Sequence, residues 1–226
     1  MSSGLSRPMR FESLFFDFDG TLVDSLPGIE FSIQQAFAGC GHTMPHVELR
    51  TMIGPSVRAI LQKLASNASL SEVDQLEAAF RASYDTAGWT KTFAFPGVAE
   101  TLRMLAEAGT RLFIFTNKPA VATRQIVKHL KMESLFQDIL SKNSRTPPYA
   151  SKAEMLADLM QRHRVSPMQS AVIGDSPEDF EAAAGNKLPF IFASYGYGKL
   201  TATELQQRTT VISNFSDLLT HCSGAV

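Results

Sequence analysis

A chain of 226 residues, 44% hydrophobic and 19% charged, can bury a core as one large domain or two small ones and reads as soluble and globular. A formal net charge of −1 excludes broad electrostatic attraction to nucleic acid or an anionic membrane, so any preference for phosphate must be local. No apolar run is long enough to cross a bilayer and the first ten residues carry no apolar leader, so the expected location is cytoplasmic; Cys40 and Cys222 lack metal or redox spacing.

In chain order, residues 1–10 read as a flexible N-terminus and residues 11–17 as a strand. That strand runs into Asp17-Phe-Asp-Gly-Thr-Leu-Val-Asp-Ser. Open α/β sheets bind ligands beyond the carboxyl ends of their strands. Side chains alternate along a strand, so Asp17 and Asp19 are expected on one side with Phe18 on the other. Two carboxylates that close need a cation, and Mg2+ suits an oxygen site of one or two carboxylates plus phosphate. Residues 26–88 then read as several helices with no strand between them, with Ile29, Ile33, Ala36 and Phe37 and then Val57, Ile60, Leu61 and Leu64 at helical spacing. The last long helix of this block is expected to start at Ser71, with Asp74 in the capping-box position.

From residue 98 strand and helix alternate: helix 98–108, strand 111–116, helix 120–130, a short strand 138–140, helix 152–163, strand 171–174, helix 177–184, strand 189–193, a strand around Val211 and a helix near Phe215. Such alternation implies a parallel sheet covered on both faces. The expected fold is therefore α/β, a Rossmann-like parallel sheet core (residues 11–24 and 92–222) with an inserted α-helical cap (residues 25–91), joined by hinge strands at 24–27 and 91–96. Three further segments carry chemistry. Phe113-Ile-Phe-Thr-Asn-Lys-Pro places Thr116 and Asn117 before a helix whose first amides can hold phosphate oxygens. A lysine is needed beside a carboxylate and a phosphoryl group, with Lys142 and Lys152 as candidates. In Ala171-Val-Ile-Gly-Asp-Ser-Pro-Glu-Asp, helix capping explains Ser176 and Pro177 but does not demand Asp175 or Asp179.

Taken together, these segments resemble the four motifs of the haloacid dehalogenase (HAD) superfamily over roughly residues 11–219, within its phosphoglycolate phosphatase-like group, which includes 5′-nucleotidases. The resemblance implies the HAD fold with its helical cap. It implies a Mg2+-dependent phosphatase of a small phosphorylated metabolite acting through an aspartyl-phosphate, with Asp17 as nucleophile and Asp19 as acid and base. Phosphate binding falls to Thr116, Asn117 and Lys152, and the metal to Asp17, the Asp19 carbonyl, Asp175 and, in support, Asp179. Lys152, rather than Lys142, occupies the place of the motif III lysine, although Ala153 replaces the commoner proline after it.

Asp19 argues against a dehalogenase, which has no leaving alcohol to protonate, and Ile29 stands where β-phosphoglucomutase-like members carry a cap histidine. A phosphomutase and a non-catalytic phosphate-binding regulatory protein remain the alternatives. Substrate choice is expected in the cap, where Ile53-Gly-Pro-Ser resembles a family loop and Arg58 is a candidate for meeting a carboxylate or second phosphate. Tyr195-Gly-Tyr-Gly-Lys resembles the family's loop near the site, while the five histidines show no metal spacing and Trp89 reads as packing. Oligomeric state is not legible.

Overall fold

The structure, a computed structural model, describes residues 10–54, 56–206 and 209–222; of the segment expected to be a flexible N-terminus, only Arg10 falls within them. The chain divides into two compact units, one of residues 1–23 and 94–226 and the other Asp24–Phe93.

The first unit is built on six parallel strands in the order β5-β4-β1-β6-β7-β8. They are β1 (Ser13–Phe16), β4 (Arg111–Thr116), β5 (Asp138–Ser141), β6 (Ser170–Gly174), β7 (Phe190–Ala193) and β8 (Thr209–Ile212). β1 is buried at every position because a central parallel strand is covered on both faces, which is why it reads Leu14-Phe15-Phe16 rather than alternating. Phe15 stacks on Phe113 with ring centroids 5.0 Å apart, and each such fully buried ring contributes on the order of 1.5–3 kcal/mol. Helices α4 (Val98–Glu107), α5 (Ala120–His129), α6 (Lys152–Arg162), α7 (Pro177–Gly185), α8 (Ala202–Gln206) and α9 (Leu218–Cys222) complete the unit. The short α8 lies outside the sequence expectations, although its signal is present: Thr201 and Glu204 cap each other reciprocally.

β4 and β5 extend the sheet to one side of β1, and β6 to β8 to the other. The order therefore reverses at β1, the place where an open α/β sheet leaves a crevice beyond its strand ends. Phe16 is in register with Ile114 and Ile173, so Thr116 and Asp175 lie two residues further along the flanking strands.

The second unit is helical: α1 (Leu26–Gly39), α2 (Val57–Leu64) and α3 (Leu70–Thr86), with single turns at Leu49–Met52 and Gly88–Lys91. Ile29, Ile33, Ala36 and Phe37 form the buried stripe of α1, and Val73, Leu76, Phe80 and Tyr84 that of α3. A Cβ on Gly28 would lie 2.2 Å from the Gly88 carbonyl oxygen, so the backbones approach there as only glycine permits. α3 starts earlier than expected. Its N-cap is Ser69, and its capping partner is Glu72, whose Oε2 accepts hydrogen bonds from the Ser69 amide and hydroxyl at 2.7 Å each. Glu72 reaches back one helical turn where the shorter Asp74 side chain is held instead by Arg58. The crossings between the units are also shorter than expected: β2 (Val23–Asp24) and β3 (Phe93–Ala94), which pair with each other. Leu26 already begins α1, with Pro27 in its first turn. Among the described residues no helix is long and apolar enough to cross a membrane.

Candidate active site

β1 ends at Phe16, the Asp17 amide still donating to the Ile173 carbonyl at 2.9 Å, and from Phe18 the chain bends into a turn where strand alternation no longer governs the Asp19 side chain. The turn is tied to one atom. The Phe18 carbonyl accepts hydrogen bonds from the amides of Thr21, Leu22 and Val23 at 3.3, 2.9 and 3.0 Å, while Gly20 N–H donates to the Val23 carbonyl at 2.9 Å. Gly20 has φ +83°, and a Cβ there would lie 2.2 Å from Asp175 Oδ2, so both backbone conformation and space require glycine.

Three carboxylates converge, and they are not the pair expected from the strand. Asp17, Asp175 and Asp179 each place an oxygen within 4.8 Å of the others, all three buried. Asp19, two residues from Asp17, turns to a different partner: Lys118 Nζ donates to both of its oxygens at 3.0 and 3.2 Å. Lys118 is the site residue that the sequence argument left without a role. The signal available was its place directly after Thr116-Asn117; what was missing was the fold of the Asp19 turn.

Asp179, expected only as a supporting metal ligand, has two tasks in the fold that the sequence did not announce. Its Oδ1 accepts a hydrogen bond from Lys152 Nζ at 2.7 Å, and its Oδ2 accepts from the Ser176 amide and hydroxyl at 3.1 and 2.6 Å, forming the capping box of α7. Helix capping does therefore demand an acid here. Gly174 makes room for it, since a Cβ would lie 2.4 Å from Asp179 Cβ. Asp175 accepts hydrogen bonds through Oδ2 from the Tyr197 and Gly198 amides at 2.7 and 3.1 Å, which ties the Tyr195-Gly-Tyr-Gly segment to the cluster. The Tyr195 hydroxyl donates to the Thr21 carbonyl at 2.8 Å, bracing that segment against the Asp19 turn.

Lys152 opens α6 and is buried, 2.8 Å from Asp17 Oδ1 and 2.7 Å from Asp179 Oδ1. Lys142, the other candidate, is exposed and joins Thr116 only by a backbone hydrogen bond, 2.9 Å from its amide to the Thr116 carbonyl. Thr116 is buried, with Oγ1 accepting from the Lys118 amide at 3.2 Å. The α5 amides expected to face phosphate are partly committed, because Ala120 N–H donates to Asn143 Oδ1 at 2.9 Å. The Asn117 amide group donates to Glu178 Oε2 at 2.6 Å, a link between the ends of β4 and β6. Arg58 belongs to the helical unit, bound to Asp74 at 2.6 Å and Glu77 at 3.0 Å.

The electrostatics are unbalanced. Burial pushes the Asp17 carboxyl well above its usual range, with Asp179 and Asp175 adding to the rise and Lys152 opposing it. Asp175 is raised to about 6, by burial first and Asp179 second, against the lowering effect of its two amide hydrogen bonds. Burial alone would lower Lys152, yet Asp17 and Asp179 outweigh it and raise its pKa. Both members of the Lys152–Asp17 pair thus move upward, which a simple ion pair does not do. Burial is the first cause at Asp17, with Asp179 and Asp175 adding like charge, while the lysine gains from both Asp17 and Asp179; one ammonium among three carboxylates leaves a deficit of positive charge. A hard divalent cation matches this deficit and this all-oxygen donor set.

A family profile described as haloacid dehalogenase-like hydrolase matches residues 14–193, spanning the ends of β1, β4, β5 and β6. The chain belongs to the haloacid dehalogenase-like hydrolase family. Among its relatives, the tyrosine-protein kinase PtkA of Mycobacterium tuberculosis is 30% identical over 202 residues, 89% of this chain and 68% of that protein. A phosphoglycolate phosphatase of Psychrobacter arcticus is 28% identical over 215 residues, covering 91% of this chain and 93% of the relative. The crystal structure of a predicted phosphoglycolate phosphatase from Haemophilus somnus superposes with a TM-score of 0.82 at 24% identity, over 96% of this chain and 99% of that one, and shows the same fold. The chain is thus a HAD enzyme of the phosphatase-like kind, with its acid cluster at the end of the sheet where β1, β4 and β6 finish.

Proposed function

We propose that this HAD enzyme is a Mg2+-dependent phosphatase that hydrolyses a small phosphomonoester, phosphoglycolate-like or a 5′-nucleotide, through an aspartyl-phosphate on Asp17. The observation that carries the reading is the buried cluster of Asp17, Asp175 and Asp179 around Lys152. Asp17 and Asp175, with the Asp19 carbonyl, would hold the ion. Asp179, whose oxygens are already engaged by Lys152 and Ser176, would play a supporting part. When bound, Mg2+ neutralises phosphate charge beside the carboxylates.

Asp17 attacks phosphorus and the bond to the leaving oxygen breaks, with Asp19 giving that oxygen its proton. Water then attacks phosphorus, passes a proton to the Asp19 carboxylate, and the bond from phosphorus to Asp17 breaks. Lys152 and the Thr116 hydroxyl hold the phosphoryl oxygens, and Asn117 shapes that side of the site through Glu178. The helical unit is the natural place for recognition of the leaving group. Arg58 enters that role only by giving up the ion pairs that now occupy it.

The deciding experiment is phosphate release from a panel of esters with and without Mg2+, with Asp17→Asn as control. Release that needs Mg2+ and disappears in the variant supports the reading, whereas undiminished release by Asp17→Asn removes Asp17 as nucleophile. Transfer to a second sugar hydroxyl would favour the phosphomutase, and silence on every ester the phosphate-binding protein. Similarity to PtkA adds ATP with a tyrosine peptide to the panel.

A further inference from the structure

Lys118 is a buried lysine outside the carboxylate cluster, and its side chain is 6% exposed against 22% for the Asp19 side chain it meets. Burying an ammonium on a four-carbon stem is costly in solvation and rotamer freedom. It is tolerated here because Nζ donates to both Asp19 oxygens, at 3.0 and 3.2 Å. The lysine is itself anchored: its amide donates to Thr116 Oγ1 at 3.2 Å, and Pro119 follows at the start of α5. The Asp19 backbone is equally fixed by the hydrogen bonds to the Phe18 carbonyl and by Tyr195 against Thr21. What the turn leaves undetermined is the Asp19 rotamer, and a two-point contact to Lys118 selects one.

Resting on the phosphatase reading, we propose that Lys118 is the positioning residue for the acid and base of the reaction, holding the Asp19 carboxylate where it can serve the leaving oxygen and then the attacking water. Asp19 acts twice in one turnover, first donating a proton and then accepting one, so an error in its placement is felt in both halves. A displacement of about 1 Å of a catalytic group is enough to cost about 10²-fold in rate. Lys118 thereby couples the end of β4, which carries Thr116, to the turn after β1, which carries both acids of the mechanism.

The test compares Lys118→Met and Lys118→Arg with wild type on an alkyl phosphate and on p-nitrophenyl phosphate, whose leaving group departs without a proton, and combines Lys118→Met with Asp19→Asn. Expected is a kcat loss of about 10²-fold on the alkyl ester with KM within about threefold, a smaller loss on the aryl ester, and partial recovery with Lys118→Arg. In the Asp19→Asn background the additional loss from Lys118→Met should vanish. A raised KM with unchanged kcat would overturn the inference in favour of direct substrate contact. Equal losses on both esters with a lowered unfolding temperature, or a full additional loss in the Asp19→Asn background, would reduce Lys118 to a structural ion pair. Silence of the wild type on every ester removes the phosphatase reading and this inference together, whereas an active wild type matched by Lys118→Met removes this inference alone.

Discussion

Each unit of the molecule contains a knot of charged side chains, and the two obey different rules. In the helical unit Arg58 meets Asp74 and Glu77 while Arg81 meets Glu77, two cations to two anions, with side chains 20–63% exposed. In the sheet unit Lys152 pairs with Asp17 and Asp179, all three side chains 0–7% exposed, and Asp175 adds a third carboxylate to the cluster. The first knot is balanced and wet, so it needs nothing further and is worth little to stability. The second is buried with an excess of negative charge, a condition that a structural ion pair would not keep and that a ligand site requires.

The contrast is broken most severely at Asp17. Asp17→Asn should lower phosphate release by at least about 10³-fold, since the proposed acyl phosphate forms on that carboxylate; turnover assays with an intact thermal transition check it. Lys152→Met comes next, with a loss of about 10²–10³-fold in kcat. A change confined to KM would show that Lys152 binds ground state and transition state equally.

A third prediction concerns pH. The Asp175 carboxyl is raised to about 6 in the fold, so its neutral form is favoured there. Its contribution to metal-free stability is full below the ordinary value of 3.8 and is lost as pH rises through about 6. On the proposed reading Mg2+ would bind the ionised cluster, and at a hundredfold excess over Kd it would add about 2.7 kcal/mol. The Mg2+-induced rise in Tm should therefore be several degrees near pH ~8 and small near pH ~5, with Asp175→Asn raising metal-free stability near pH ~8 and erasing the Mg2+ effect. Equal shifts at both pH values would place the ion elsewhere. Ser176→Ala tests the second task of Asp179; loss of the α7 cap should cost about 1 kcal/mol in denaturant melts and lower activity, because Asp179 loses a partner that orients it. The smallest effect is expected for Arg58→Ala, with Tm changed by under about 3 °C and KM by under about twofold. A tenfold KM rise would instead make Arg58 a substrate contact.

Strands and acids were legible in the chain for a simple reason. A buried parallel strand must be a continuous apolar run, and an acid directly after such a run has no structural excuse. Leu14 to Phe16 before Asp17 and Ala171 to Gly174 before Asp175 announce both the sheet and its functional edge. Less legible were residues with a local task that hides a distant one. Asp179 looks dispensable to α7 but caps it, and the helix start at Ser69 depends on whether Glu72 or Asp74 reaches back.

Local chemistry along the chain thus determined which residue types follow the strands, and with them the proposal of a phosphate site with a hard cation. Only the tertiary structure decided how they pair. Asp17 and Asp19, two residues apart, pair with Lys152, at the start of α6, and Lys118, just after β4. Sequence spacing governs side chains only within a regular element, and beyond Phe16 the turn on the Phe18 carbonyl, together with the burial of Lys118 and Lys152, sets their directions.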